Sequence, residues 1–361
     1  MFSYGLLQTS INLLKEVNWQ VVVVDEAQAI KNPTTKRSKA AFQLNGEFKV
    51  ALTGTPIENH LGELWSLLYF LNPGLLGTQK NFYEKFVLPI ERNNDAAIRD
   101  GLKRLIQPFI LRRLKGEVLR ELPPRIEQTI EVQFDEKEMA FYEEMRKQAQ
   151  NNINNSDITS QGQRRIKILS EITKLRQACC HSSLAVPEIS LPSGKLKHFE
   201  RLLDDILDNN HKALVFSQFV KYLTIIRKLL DDKKINYQYL DGQTPAKKRK
   251  EFINNFQNGK GDVFLLSLKA GGVGLNLTEA DYVILLDPWW NPAVEDQAAD
   301  RSHRIGQKKT VTIYRLIAQN TIEEKIVEMH KKKRSLANDL LSGADTTGKL
   351  TEAELLDMIS V

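Results

Sequence analysis

The chain has 361 residues, of which 42% are apolar and 27% charged, and it carries a formal net charge of +6 with a pI near 9.0. Its length predicts about two to three domains, and its composition is that of an ordinary globular protein. No apolar run approaches about 18 residues, so the sequence predicts no transmembrane helix and no membrane partner. The small positive charge favours a polyanionic partner but does not identify one.

The two cysteines, Cys179 and Cys180, are adjacent. Neighbouring cysteines form neither a disulfide framework nor a C-x-x-C metal site, and we expect them to be buried apolar residues that make no zinc site with His181. This usage fits a reducing compartment. The opening MFSYGLLQTS lacks the basic segment of a signal peptide. We therefore expect a cytoplasmic protein.

The first predicted strand is the valine run 21–24, and two acids, Asp25 and Glu26, follow it directly. An unbroken β-branched run predicts a strand covered on both faces, as in a parallel sheet between helical layers. Ligands of such sheets bind beyond the carboxyl ends of the strands, where acids hold a hard cation or orient a water molecule. Taken alone, however, the stretch favours a simpler interpretation, in which Asp25 caps the next helix.

The first block of the chain extends to about residue 135. Its second predicted strand is 48–54, and an aromatic-rich helical insertion follows at 64–77. The segment 106–124 ends in a Pro-Pro pair, after which 125–134 predicts a strand with one solvent-facing side.

Residues 136–190 predict a helical connector that is interrupted by a polar loop at 150–163. In the second block, 191–341, strands and helices alternate, which indicates a parallel sheet with helices on both faces. Residues 342–361 are expected to form a tail. The predicted strands of the second block are 212–217, 235–242, 262–267, 282–287 and 311–317, and its predicted helices include 218–230, 245–257 and 321–341.

Two sets of side chains indicate nucleotide chemistry. Thr53 and Thr55 follow the second strand, at the sheet edge where the two acids are expected. Far downstream, Arg301 and Arg304 are three residues apart, and on a helix this spacing places both guanidinium groups on one face. The fixed fork of arginine suits phosphate oxygens. Carboxylates in one block and arginines in the other outline a nucleotide site formed by two lobes.

Eight ordered segments resemble the motor of the Swi/Snf-type family, the superfamily-two helicase-like ATPases that translocate on duplex DNA. The main resemblance lies in VVVVDEAQAIKN, ALTGTPIEN, SLKAGGVGLNLTEADYVILLDPWWNP and EDQAADRSHRIGQ, with FILRR, SGKL, ALVFSQF and YLDGQTP between them in the family's order. The resemblance implies an α/β fold of two RecA-like lobes with parallel sheets and helical insertions between the lobes.

The resemblance also implies ATP and Mg²⁺ as ligands. Asp25 would hold Mg²⁺ through water and Glu26 would orient or deprotonate the attacking water, so both are candidate catalytic residues together with Arg301 and Arg304. Because the arginines come from the second lobe, hydrolysis would depend on closure of the lobes. The candidate nucleotide-binding residues are Asp25, Glu26, Thr53, Gly54, Thr55, Gly272, Gln297, Arg301 and Arg304.

Double-stranded DNA is the partner that the resemblance implies. Contacts to phosphate do not read bases, so we expect sequence-independent binding that weakens steeply with salt. A DNA-bound protein, or an upstream chain that supplies a missing motif, is the further partner expected. The candidate DNA-binding residues are Ser217, Gln218, Ser267, Lys269, Ala270, Gly271 and Trp289.

One family motif is absent, because no G-x-x-x-x-G-K-[ST] phosphate loop occurs in the 361 residues. Gly194 and Lys195 resemble its end, but the glycine required five residues before Gly194 is Ile189. The resemblance places this loop upstream of the SYGLL segment, which begins here at Ser3. It therefore implies a first lobe truncated at its N-terminus, an unpaired apolar edge on the strand 48–54, and little ATP turnover by this chain alone.

Two alternatives to an active motor stay open. The chain could be a non-catalytic DNA- or partner-binding module derived from such a motor, and an RNA helicase of the same superfamily is a weaker alternative. Some residues also have structural interpretations. At least one of Trp289 and Trp290 is expected to be a packing anchor, His303 to be structural, and the basic runs 247–250 and 331–334 to be solvated helix faces.

Overall fold

The computed structural model describes residues 1–54, 61–93, 95–113, 115–119, 121–155, 160–271, 275–330 and 352–359. The chain divides into two compact units, one built on Met1–Arg112 and the other on Arg113–His330. Each unit contains a parallel sheet, of two strands in the first and six in the second, so the α/β class is confirmed. In the described part of the chain, no helix is both long enough and apolar enough to cross a membrane.

The first unit is built on two parallel strands, β1 (Trp19–Val24) and β2 (Gly46–Ala51). Its helices are α1 (Tyr4–Thr9), α2 (Ile11–Leu14), α3 (Lys36–Phe42), α4 (Gly62–Leu71), α5 (Gln79–Phe82), α6 (Leu88–Asn93) and α7 (Ala96–Ile106), with 3₁₀ turns at Ala27–Ile30 and Gln107–Phe109 and a π-helical turn at Tyr83–Val87. Val22 and Val24 of β1 pack in one buried cluster with Ala41 of α3 and Phe70 of α4.

The prediction that the valine run is covered on both faces is wrong for the described part of the chain. Val21 and Val23 point away from the buried cluster and are 53% and 54% exposed. Phe48, which is paired with Val21, is 64% exposed. Valine favours strands on either face, so the run specified a strand without specifying burial. Among the described residues β2 pairs with β1 alone.

The second unit contains a six-stranded sheet of order β3-β8-β7-β4-β6-β5, in which every pair is parallel. Its strands are β3 (Arg125–Val132), β4 (Ala213–Ser217), β5 (Tyr237–Leu240), β6 (Val263–Ser267), β7 (Tyr282–Leu285) and β8 (Val311–Ala318). Its helices are α8 (Lys115–Val118), α9 (Glu136–Asn154), α10 (Gln161–Cys180), α11 (Ser182–Ala185), α12 (Gly194–Asp208), α13 (Val220–Asp232), α14 (Ala246–Gln257), α15 (Leu268–Gly271), α16 (Pro292–Ala299), α17 (322–330) and α18 (Glu352–Asp357).

Strand β3 belongs to this second sheet, whereas the sequence placed it in the first block. It pairs with β8 along its whole length, from Arg125 opposite Val311 to Val132 opposite Ala318. Its side chains are mostly exposed, as befits an edge strand. Alternation along a strand shows that one face is wet, but it carries no information about a partner so distant in the sequence.

A fully buried ion pair joins three elements of the second unit. Lys195 of α12 lies 2.6 Å from a carboxylate oxygen of Glu323 in α17, and neither side chain is exposed. The Lys195 ammonium also donates to the carbonyl oxygen of Leu286, just after β7, at 2.9 Å. Burial disfavours the charge on Lys195, but the neighbouring Glu323 carboxylate holds the pKa of Lys195 above its ordinary value. Lys195, which resembled the end of a phosphate loop, is thus a buried structural residue.

We expect Lys195→Met to lower the free energy of unfolding by about 3–5 kcal/mol, because it leaves the Glu323 charge buried and unpaired. The double variant Lys195→Met/Glu323→Leu should recover most of this loss, since it removes both charges. Urea denaturation followed by circular dichroism measures the effect. Lys197→Met, at an exposed position of the same helix, is the matched control and should be near neutral. A double variant no more stable than the single one would contradict this account.

Candidate nucleotide and DNA sites

The acid pair lies immediately after β1, with both side chains exposed. Asp25 accepts a hydrogen bond from the Glu26 backbone N–H at 2.8 Å. It does not cap the next helix, since the 3₁₀ turn Ala27–Ile30 has Glu26 at its N-cap and no side-chain cap. The simpler interpretation of Asp25 is therefore wrong. Glu26 adopts φ 48° and ψ 51°, the left-handed conformation that favours glycine and costs about 1–2 kcal/mol in other residues.

A chain of hydrogen bonds connects Glu26 to the end of the second strand. The Gln28 side-chain amide nitrogen donates to a Glu26 carboxylate oxygen at 2.5 Å. The Thr53 hydroxyl donates to the side-chain oxygen of Gln28, Oε1, at 2.8 Å. The backbone reinforces this link, because the N–H of Ala27 donates to the carbonyl of Leu52 at 2.9 Å. The sequence analysis missed Gln28, although its position two residues after Glu26 was a usable signal.

Tyr4 anchors the acid turn from α1. Its hydroxyl donates to the backbone carbonyl of Asp25 at 2.7 Å. Burial, reinforced by the Asp25 charge, raises the pKa of Tyr4 to about 12. The Arg37 guanidinium lies 5.5 Å from the centre of the Tyr4 ring. Sequence reasoning missed Tyr4 as well, because only the fold brings it beside an acid 21 residues later.

The acid turn fits Mg²⁺ held through water. Mg²⁺ prefers oxygen ligands, keeps several of its waters and commonly uses one or two carboxylates. Asp25 and Glu26 are exposed carboxylates at a strand exit. Within the described ranges, no group of three or more acidic, histidine or cysteine side chains forms a closed metal cage. Two other expected nucleotide-binding residues, Thr55 and Gly272, lie outside the described residues, whereas Gly54 is described and follows Thr53 in a bend.

The arginine pair does not lie on a helix, so the prediction of a shared helical face is wrong. Helix α16 ends at Ala299, and the chain continues in turns through Arg301 and Arg304. Arg301 is 5% exposed, whereas Arg304 is exposed and donates to the carbonyl of Leu275 at 3.1 Å. Gln297 is on α16 and is half-buried. Spacing alone could not reveal where the helix stops.

His303 has the structural contact expected of it. It is 8% exposed, and its Nε2 lies 2.9 Å from the backbone carbonyl oxygen of Pro123, to which a protonated Nε2 donates. The imidazole therefore joins the turn after α16 to the segment that precedes β3.

The candidate DNA residues differ in exposure. Lys269 is exposed, and Gln218 and Trp289 are half-buried, whereas Ser217, Ser267 and Ala270 are buried at 0%, 4% and 2% exposure. Gly271 ends α15. The Ser217 hydroxyl donates to the buried Asp287 carboxylate, which also accepts the Gln218 backbone N–H at 3.3 Å. Burial raises the pKa of Asp287, against the opposing effect of Arg176.

Both tryptophans of the DPWWNP loop are packing residues. Trp289 packs against the cluster that includes Ala298 and Val311, whereas Trp290 packs against the cluster of α9, α10 and α17. The loop backbone is also fixed, because the Trp289 N–H donates to the Glu295 carboxylate at 2.8 Å. A packing role for one tryptophan was expected, and the structure gives one to both.

Comparison with known families decides the classification. A model described as SNF2-related domain matches residues 1–184, and a model described as Helicase conserved C-terminal domain matches residues 194–306. The chain belongs to the Swi/Snf family. Its six-stranded and two-stranded parallel sheets match the RecA-like lobes of the SNF2 ATPase core, which confirms the resemblance and the fold expected from it.

Swi/Snf relatives align along nearly all of this chain. YwqA of Bacillus subtilis, provisionally named an ATP-dependent helicase/translocase, is 37% identical over 99% of this chain and 40% of its own length. The ATP-dependent helicase MG018 of Mycoplasma genitalium, described as uncharacterized, is 38% identical over 99% of this chain and 34% of its own. The Sulfolobus solfataricus SWI2/SNF2 ATPase core solved in complex with dsDNA is 36% identical, with a TM-score of 0.53, over 99% of this chain and 74% of that one. This chain thus spans about a third to two fifths of the length of these two curated relatives.

The strained backbone of Glu26 has a measurable consequence for stability. We expect Glu26→Gly to be about 1 kcal/mol more stable than Glu26→Ala, because glycine alone adopts a positive φ without cost. Urea denaturation of the two variants measures the difference. At Asp25, whose φ is not positive, the order should reverse, so Asp25→Gly and Asp25→Ala form the matched control pair. Equal stability of the two Glu26 variants would show that the strain is relieved in solution.

Proposed function

We propose that this Swi/Snf-family chain is part of an ATP-dependent double-stranded DNA translocase, in which ATP hydrolysis is coupled to movement on DNA or to remodelling of protein–DNA complexes. The observation that carries the proposal is the exposed Asp25–Glu26 turn, linked through Gln28 to Thr53, in a chain that aligns over 99% of its length with proteins named ATP-dependent helicases. Helicase-like ATPases form this family.

In this mechanism Asp25 would hold Mg²⁺ through water, and Glu26 would orient the attacking water or accept a proton from it. When bound, the metal would supply positive charge that offsets the charge on the phosphates. Gln28 donates to Glu26 and so fixes the orientation of the carboxylate, while its carbonyl accepts from Thr53. A shift of the Glu26 side chain during hydrolysis would therefore move Gln28 and, through it, Thr53 after the second strand.

Gln297, Arg301 and Arg304 are proposed to bind nucleotide phosphates, and Gly54, Thr55 and Gly272 are also proposed to bind nucleotide. Arginine suits this role because its charge persists at every physiological pH and its fork matches phosphate oxygens. Arg304 is exposed and therefore accessible to a ligand, whereas Arg301 is 5% exposed and lies deeper in the turn. Charge neutralisation by such arginines is a large part of phosphoryl-transfer catalysis.

Duplex DNA is the proposed partner of the second unit. A related SWI2/SNF2 core was solved in complex with dsDNA, and the net charge of this chain is +6. The exposed Lys269 and the loops that follow β4, β6 and β7 supply the proposed contacts. Binding through phosphate is sequence-independent and weakens steeply with salt. A DNA-bound protein displaced or moved by the motor is the further proposed partner.

We expect the purified 361-residue chain to release little phosphate from Mg·ATP, with or without linear duplex DNA, because it carries no phosphate loop to hold the β- and γ-phosphates. Adding, as a separate chain, a Swi/Snf-family segment that carries a phosphate loop should restore DNA-stimulated turnover. Malachite-green phosphate detection measures both reactions. Glu26→Gln should abolish the restored activity, whereas Glu47→Gln, an exposed acid of β2, should leave it intact. DNA-stimulated turnover by the chain alone at the rate of a complete motor would overturn this expectation.

A second candidate function is a non-catalytic DNA- or partner-binding module derived from such a motor. This alternative predicts a salt-sensitive DNA mobility shift that nucleotide does not alter and a chain that no added segment reactivates. The reconstitution experiment separates it from the translocase.

A further inference from the structure

A single buried arginine lies beneath the two loops that follow β4 and β7. Arg176, near the C-terminal end of α10, is 1% exposed and is among the largest fully buried side chains of the described residues. Its guanidinium carbon lies 5.5 Å from the ring centre of Phe219, 5.7 Å from that of Trp289 and 5.3 Å from that of Trp290. One cation therefore contacts three aromatic rings that come from two separate loops.

The polar contacts of Arg176 reach the same two loops. Its Nη2 donates to the backbone carbonyl of Pro288 and lies 3.9 Å from a carboxylate oxygen of Asp287. Asp287 in turn accepts the Ser217 hydroxyl and the backbone N–H of Gln218. The guanidinium thus fixes the β7 loop directly and the β4 loop both through the Phe219 ring and through Asp287.

Geometry and charge both specify arginine at this position. A planar guanidinium can stack on aromatic faces while it donates in its own plane, and a lysine ammonium cannot do both. Cation–aromatic contacts are also strongest where water is excluded. Trp290 packs on the α9–α10–α17 cluster that includes Ile172. Helix α10 is therefore connected to the loop by apolar packing as well as by the Arg176 contacts.

We infer that Arg176 is a positioning residue for DNA binding, which locks the loops 217–219 and 287–290 into one rigid surface and connects that surface to helix α10. The inference rests on the proposed DNA-binding function of these loops. Arg176 itself does not touch DNA in this account, because it is buried beneath the loops.

The test compares the 361-residue wild-type chain with three variants in binding a labelled duplex DNA at several salt concentrations, at a temperature where all are folded. Arg176→Lys keeps the charge and loses the stacking, and we expect about tenfold weaker binding. The salt slope, which is the change in the logarithm of the binding constant with the logarithm of the salt concentration, should decrease in magnitude by about one, as for the loss of one phosphate contact. Acrylamide should quench tryptophan fluorescence more strongly in this variant. Trp19 and Trp65 lie in the first unit and provide a constant background.

Ile206→Ala is the matched control. Ile206 is buried near the end of α12, just before β4 begins, whereas the two loops follow the carboxyl ends of β4 and β7. Its truncation therefore destabilises the core of the same unit at the opposite edge of the sheet. It should lower the melting temperature while leaving the salt slope and the quenching unchanged. Phe219→Leu removes one of the three rings and should shift both readouts in the same direction as Arg176→Lys, so the inference stays testable if Arg176→Lys folds poorly.

The outcomes separate the inference from the proposed function. A wild-type chain that does not bind duplex DNA would refute the proposed function and the inference with it. A wild-type chain that binds, with Arg176→Lys and Phe219→Leu indistinguishable from Ile206→Ala in salt slope and quenching, would refute the inference alone. A smaller slope in the first two variants and an unchanged slope in the control would establish it.

Discussion

Buried charge holds the carboxyl edge of the larger sheet together. Lys195 is paired with Glu323, and Arg176 lies beside Asp287, with all four side chains removed from solvent. The two pairs are coupled, since the Lys195 charge also opposes the rise in the pKa of Asp287 that burial causes. Because an unpaired charge in this environment is costly, each helix that contributes one of these groups is held in one position relative to the sheet.

The loops above this buried network combine rigidity with limited exposure. Ser217 and Ser267 lie opposite each other on β4 and β6 and are buried, so their hydroxyl groups stabilise the loops. Lys269 and the half-buried Gln218 remain closer to solvent. In the proposed DNA-binding role, preformed loops would avoid the entropic cost of ordering a mobile loop on each binding event.

The most unusual feature of the smaller unit is the backbone conformation of Glu26. Glu26 is held at a positive φ while its carboxylate accepts a hydrogen bond from Gln28. The Tyr4 hydroxyl donates a hydrogen bond to the backbone carbonyl of the preceding residue, Asp25. Non-glycine residues in this conformation persist only where the surroundings impose it, which is characteristic of functional sites. The same unit leaves Val21, Val23 and Phe48 on an open face among the described residues.

The sequence by itself determined the α/β class, most strands of both sheets and the family, because buried strands and ordered motifs are local patterns. It also singled out Asp25 and Glu26. Only the tertiary structure decided that β3 joins the second sheet, that Arg301 and Arg304 lie beyond a helix end, and that one face of β1 is exposed. Gln28, Tyr4 and Arg176 likewise gained their contacts from partners distant in sequence. Periodicity and spacing describe a residue's own segment, whereas pairing, burial and charge neutralisation depend on which segments the fold brings together.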